Sequence, residues 1–162
     1  MRRVTTIRRA RDGAAASGPS VLLQHDERHL RRKVVALPDG GNVLVDFPEA
    51  VLLRAGDELV LEDGSVVAVA AAVEDLCEVT ARDAVHLAEL AWHIGNRHLA
   101  AEISADRILI QRDHVIKAML AGLGAGVRDV SEPFNPVRGA YAGPTGDHHD
   151  HHQHGHSHHH EG

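Results

Sequence analysis

Short runs of Val and Leu, separated by tight-turn sequences, fill the first 73 residues and most constrain how this chain can fold. Pairs such as Asp39-Gly40 and Asp63-Gly64 favour hairpins, because glycine adopts the positive φ angles of tight turns at no steric cost. Strands are predicted where the apolar runs lie, at residues 4–9, 21–24, 30–37, 42–47 and 58–62. The sequence therefore predicts a small all-β domain over residues 1–73.

The pattern then changes to one that includes helices. Residues 66–73 predict one more strand, and Thr80 followed by Asp83 resembles a helix capping box at the start of an amphipathic helix from Ala81. Two short strands, a second helix capped by Asp113 and a last strand at residues 127–130 follow. This order predicts a ferredoxin-like βαββαβ domain over residues 74–141, which makes the fold class α+β.

Composition excludes several classes of function. Aromatic residues make up 2% of the chain and the net charge is -6, which argues against binding to nucleic acid. No apolar run approaches the roughly 20 residues that a membrane helix needs, so no membrane association is expected. The Arg-rich start lacks the apolar centre of a secretory signal, and the single cysteine, Cys77, is expected to be buried in a cytoplasmic protein.

Motifs of catalysis are absent from the sequence. It contains no His-Glu-x-x-His, no Gly-rich phosphate loop followed by Lys and Ser or Thr, and no Gly-x-Ser-x-Gly. We therefore predict that the protein is not an enzyme and has no catalytic or cofactor-binding residues.

Histidine is concentrated at the C-terminus. Residues 142–162, the tail, have no periodic apolar positions and are predicted to be disordered. Imidazole binds nickel, zinc and copper, so the tail predicts a metal site whose ion the tail alone does not specify. The interleaved Asp, Gln, Gly and Ser distinguish it from a purification tag. The candidate ligands in the tail are His148, His149, His151, His152, His154, His156, His158, His159 and His160.

A second candidate, His98, ends the run Gly95-Asn96-Arg97-His98. By its position alone it is a histidine that interacts with the dipole at a helix C-terminus. One imidazole cannot satisfy a metal ion that prefers four to six ligands, but a two-fold dimer would place two copies of His98 side by side.

The runs at residues 93–99, 108–115, 133–136 and 139–141, together with the His-rich tail, resemble the UreE family of urease accessory proteins. The resemblance implies a homodimeric nickel metallochaperone with a peptide-binding β domain, in which His98 from each subunit and residues of the tail bind Ni(II). It implies as partners the urease accessory GTPase and the apo-urease assembly complex. Zn(II) and Cu(II) are expected to bind in vitro. His114 matches a further family position, where some relatives have His-Asp-His. Here Arg112 replaces the first of these histidines, and its charge would repel a cation.

Two alternatives remain open at this point. The protein could be a nickel storage or buffer protein that depends mainly on its tail, or an interaction module in which the β domain binds a peptide. The remaining histidines carry no ligand pattern. His86 and His93 are expected on a solvated helix face, and His25 and His29 on the surface of the β domain.

Overall fold

A computed structural model describes residues 1–10 and 18–137 as two β-sheets and two helices. The first seven elements are all strands, and both helices follow them. The elements are β1 (Arg2–Arg8), β2 (Ser20–Leu23), β3 (His29–Ala36), β4 (Asn42–Leu52), β5 (Glu58–Leu61), β6 (Val66–Ala71), β7 (Val73–Thr80), α1 (Ala84–Asn96), β8 (Ala101–Ile103), β9 (Ile108–Gln111), α2 (His114–Gly122) and β10 (Gly126–Pro133). The prediction of an α+β protein with a β-rich first half is confirmed.

Strands β1 to β6 form one six-stranded sheet in the order β2-β6-β5-β1-β4-β3. The β1–β4 and β2–β6 pairs are parallel, and the other pairs are antiparallel. Aliphatic side chains alone form the centre of its core; Val4, Val43, Val45, Leu59 and Val69 are fully buried. The scarcity of aromatic residues therefore does not prevent a closed core.

Strands β7 to β10 form a second, antiparallel sheet in the order β10-β7-β9-β8. Side chains alternate across it. Cys77 and Ile110 pack in one cluster with Leu90 of α1 and Leu120 of α2. Leu76 and Leu109 belong to a separate cluster with Phe134, which follows β10 and is fully buried. The residue after the last strand thus closes the second face of the sheet.

Both helices begin at an aspartate with extended backbone. The Asp83 side chain accepts a hydrogen bond from the His86 N–H, and Asp113 accepts from Val115 and Ile116. These bonds satisfy N–H groups that have no partner in the first turn of a helix. They also hold the pKa of the Asp113 carboxyl below its ordinary value, with the Ile116 N–H as the largest cause.

Three sequence predictions need correction. Residues 66–73 are not one strand, because β6 completes the first sheet and a separate strand, β7, begins the second. Helix α1 is capped by Asp83 rather than Thr80 and begins at Ala84 rather than Ala81, since Thr80 ends β7. Strands β4 and β10 continue to Leu52 and Pro133, beyond the predicted limits.

Two further predictions concern the membrane and the tail. In the part of the chain that the structure describes, no helix is long and apolar enough to cross a membrane. The predicted disorder of residues 142–162 lies outside the described residues.

Candidate metal site

His98 occupies an unusual backbone position at the end of α1. Its φ angle is 58°, and among the described residues it is the only non-glycine with positive φ. The His98 N–H donates to the Gly95 carbonyl, and the Leu99 N–H donates to the Ile94 carbonyl. This pair of bonds is a Schellman motif, in which glycine normally occupies the position that His98 holds here. Backbone strain of this kind clusters at functional sites, so the exception draws attention to the imidazole.

The surroundings of His98 suit a cation. The residue is exposed to solvent. It also follows the C-terminus of a helix, where the partial negative charge of the helix dipole favours positive charge. A bound divalent ion would therefore gain from the helix as well as from the imidazole.

His114 stands in the opposite situation, as the first residue of α2 and also exposed. A helix N-terminus carries partial positive charge, which disfavours a cation there, although the Asp113 carboxylate that caps α2 offsets this charge. The Arg112 guanidinium is occupied elsewhere, because it donates to the carbonyls of Leu76 and Val130. Two carboxylates, 3.8 and 3.9 Å away, also offset its charge. The expected repulsion by Arg112 is therefore weakened, and a ligand role for His114 stays a prediction.

The nine tail histidines, His148 to His160, lie outside the described residues, but the segment a few residues before the tail is described as far as Val137. We call residues 134–137 the tail root. The Asn135 N–H donates to the Glu102 carboxylate at 2.7 Å, and the Val137 N–H donates to the Ala101 carbonyl at 2.7 Å. As the chain advances from Asn135 to Val137, its hydrogen-bond partner on β8 changes from Glu102 back to Ala101. The tail root therefore runs antiparallel along β8, towards His98.

His86 corrects an expectation, because it is buried rather than solvated. Its Nδ1 accepts from the Arg82 N–H at 3.1 Å, and its Nε2 lies 2.9 Å from the Leu123 carbonyl. Since Nδ1 is an acceptor, Nε2 carries the proton and donates. Both nitrogens are thus used within the fold, and His86 has no lone pair left for a metal.

Two other histidines also differ in their surroundings from what we expected. His93 is half-buried, and its ring lies edge-on to Trp92 with 5.1 Å between ring centroids. His25 is not a simple surface residue, since its Nδ1 lies 2.8 Å from Glu74. His29 is exposed as expected.

Cys77 is buried, as expected, at 1% exposure, and desolvation raises the pKa of its thiol. A protonated, enclosed thiol is a poor metal ligand. Within residues 1–10 and 18–137 there is also no group of three or more His, Cys, Asp or Glu side chains that could hold a metal ion. Any complete ligand set must therefore draw on residues 11–17 or 138–162, or on a second copy of the chain.

The sequence did not reveal an exposed apolar stripe on α1. Val85 and Trp92 are 68% and 65% exposed, and they lie seven residues apart on one face of the helix that ends beside His98. The helical period of these residues was visible in the sequence, but which face would be left uncovered was not. Two large apolar side chains left exposed on one helix face make that face a candidate contact surface.

Fold and site together define a class: an α+β protein with two sheets that presents an imidazole to solvent at a strained helix end, beside the root of a His-rich chain. Residues 2–72 match the family model described as the N-terminal domain of UreE urease accessory protein, and residues 74–160 match its C-terminal domain. The chain belongs to the UreE family of urease accessory proteins, which confirms the resemblance seen in the sequence.

Individual relatives agree with the family assignment. The chain is 63% identical over 142 residues to the urease accessory protein UreE of Mesorhizobium japonicum, covering 88% of this chain and 72% of that one. It is 57% identical over 152 residues to the UreE of Brucella anthropi, covering 93% and 88%. The UreE of Agrobacterium fabrum is 56% identical over 152 residues, which is 93% of each chain.

Proposed function

We propose that this protein is a nickel metallochaperone of urease maturation. It binds Ni(II), its cargo, through His98 and the histidines of the tail, and delivers it with accessory proteins to apo-urease. The observation that carries this proposal is the position of the tail root, which is hydrogen-bonded to Ala101, three residues beyond His98. Family membership supports the link to urease.

Chain length allows the tail to reach His98. The first tail histidine, His148, is 11 residues beyond Val137. A chain of that length without fixed structure, as the sequence predicts for the tail, has a typical end-to-end distance of about 17–20 Å. The three residues from Ala101 back to His98 span at most about 11 Å even when fully extended. Chain length therefore allows tail imidazoles to join His98 around one ion.

A homodimer would complete the site. The apolar stripe of Val85 and Trp92 runs along α1 towards His98, so a two-fold contact centred near the His98 end of this stripe would bring two copies of His98 together. Trp92→Glu places a charge in that contact and is expected to halve the mass measured by analytical ultracentrifugation. A variant that stays at the mass of the wild type would contradict a contact through this stripe.

The other parts of the proposal follow from the same features. We assign residues 1–73 to a β domain that binds a peptide of the urease assembly, residues 74–141 to a ferredoxin-like domain and residues 142–162 to the metal-binding tail. The element order and antiparallel pairing of β7 to β10 support the ferredoxin-like assignment. The protein acts in the cytoplasm without catalysing a reaction, and the urease accessory GTPase receives the ion.

Nickel titration tests the proposal. We would measure the tightest Ni(II) site by competition with a chelator in wild type, in His98→Ala and in a chain lacking residues 147–162. Each change is expected to weaken that site by about tenfold or more, which corresponds to 1.4 kcal/mol per tenfold. His29→Ala, at an exposed histidine of the β domain, is the matched control and should leave the affinity unchanged.

The result also distinguishes a carrier from a buffer. A buffer protein would lose its nickel capacity with the tail and be indifferent to His98. Unchanged affinity of the tightest site in His98→Ala would therefore contradict the proposed carrier and favour storage.

A further inference from the structure

Arg28 links the six-stranded unit to the tail root. It lies between β2 and β3 and is 3% exposed. Its Nη2 donates to the Phe134 carbonyl, and its Nη1 donates to the Asn135 side-chain oxygen at 2.9 Å. One guanidinium thus binds two consecutive residues of the tail root from the opposite half of the protein.

The tail root is held from a second side as well. Asn135 receives Arg28 through its side chain, while its backbone N–H donates to Glu102 of β8. Val137 then bonds to Ala101 of the same strand. The root is therefore hydrogen-bonded both to the first unit and to β8.

Side-chain packing reinforces this junction. The Phe134 ring is fully buried, and the His25 ring meets it edge-on at a centroid distance of 5.0 Å. The backbone N–H of His25 donates to Glu74, 3.0 Å away, and Nδ1 of His25 lies 2.8 Å from the same carboxylate. His25 and Arg28 of the first unit thus close over Phe134 at the start of the tail root.

Arg28 is a charged residue at a buried position in this junction. Burial lowers the pKa of Arg28, and the nearby carboxylates of Glu74 and Glu102 partly counteract that effect. Docking two surfaces would require only apolar contacts. A planar guanidinium, in contrast, fixes two neighbouring acceptors in one orientation, which apolar packing does not achieve.

We propose that Arg28 is a positioning residue for nickel binding: by fixing the tail root along β8, it directs the tail towards His98. This inference rests on the proposed function, in which His98 and the tail share one ion. It gives the first unit a part in metal binding that does not require a ligand from that unit. Arg28 acts by raising the effective concentration of tail imidazoles at His98.

Chain statistics indicate the size of the effect. If loss of Arg28 also frees Asn135 and Val137 from β8, the chain length from the last held residue to His148 grows from 11 residues, counted from Val137, to 14, counted from the buried Phe134. Effective concentration falls roughly as the −3/2 power of tether length, so this change alone gives about 1.4-fold. Loss of the fixed orientation of the tail root weakens binding further, and we expect the Ni(II) Kd to rise about two- to fivefold in total.

The experiment is a double-mutant cycle on the full chain. Arg28→Met keeps an unbranched apolar stem and removes the hydrogen bonds of the guanidinium. We would measure the Ni(II) Kd of the tightest site in wild type, Arg28→Met, the chain lacking residues 147–162, and the combination. Arg28→Met should raise Kd about two- to fivefold in the full chain and leave it unchanged when the tail is absent. Arg28→Lys, which can restore one hydrogen bond, should recover part of the affinity.

Each contrary result has a distinct meaning. An equal effect of Arg28→Met with and without the tail would mean a general structural role and would overturn the inference, as would no effect in either chain. If deleting the tail leaves the wild-type Kd unchanged, the shared site itself is wrong, and the inference fails with it. Should Arg28→Met not fold, Asn135→Ala removes one of the two acceptors and is subject to the same criteria.

Discussion

Replacing His98 with glycine separates its proposed role as a metal ligand from its position at a left-handed helix terminus. The φ angle of 58° places His98 where non-glycine residues are strained. For an L-residue this conformation costs roughly 1–2 kcal/mol, with histidine among the more tolerant types. The greater freedom of glycine in the unfolded chain offsets about 0.4–1 kcal/mol of the gain. We therefore expect His98→Gly to raise the free energy of unfolding by about 0.5–1 kcal/mol.

Urea denaturation and thermal unfolding measure this gain. For a protein of this size, 1 kcal/mol corresponds to a rise in Tm of roughly 2–4 °C. His98→Ala is the matched control, because alanine also removes the imidazole but keeps the Cβ that strains the backbone. Its stability should stay within about 0.5 kcal/mol of wild type. Both variants should lose nickel affinity to the same extent.

The comparison has a clear negative outcome. If His98→Gly proves less stable than His98→Ala, the left-handed backbone carries no strain. His98 would then hold this position for a reason other than the presentation of its ring.

Three further predictions concern stability. Arg107 lowers the pKa of Glu78 and Glu132. The ion pairs of these carboxylates with Arg107 therefore stabilise the fold above about pH 4.5, and this stabilisation is lost as the pH falls through the lowered pKa values. Arg107→Gln should therefore be less stable than wild type above pH 5 in urea unfolding, and a constant difference down to pH 3 would contradict this. His86→Leu should destabilise by about 2 kcal/mol without changing nickel affinity. Asp113→Ala should lower Tm, whereas Asp113→Asn should retain most of it.

The sequence predicted most elements because their signals are local. Asp113 caps a helix through N–H groups two and three residues away, and hairpin turns lie in consecutive residues. The missed strand β7 had no such signal. Its charged residues make it look exposed, yet Glu78 lies 2.8 Å from Arg107, which is 29 residues further along the chain. Burial of such a strand depends on a partner that local patterns do not identify.

Local sequence patterns also predicted only part of the candidate site. The residue His98 could be singled out from its motif, but its left-handed backbone could not. Asn96 or Gly95 would suit that conformation better by residue type. The junction between Arg28 and Phe134 spans 106 residues and is absent from any local pattern. Contacts of this separation appear only once the two sheets have been placed.

The enclosure of Cys77 bears on which ions the protein can release. A thiolate would retain soft ions such as Cu(I) far more firmly than imidazole does. The sole sulfhydryl of this chain lies in the core and stays protonated. Under the proposed function the ion is therefore held without a thiolate ligand, and ligand exchange among nitrogen donors can release it quickly.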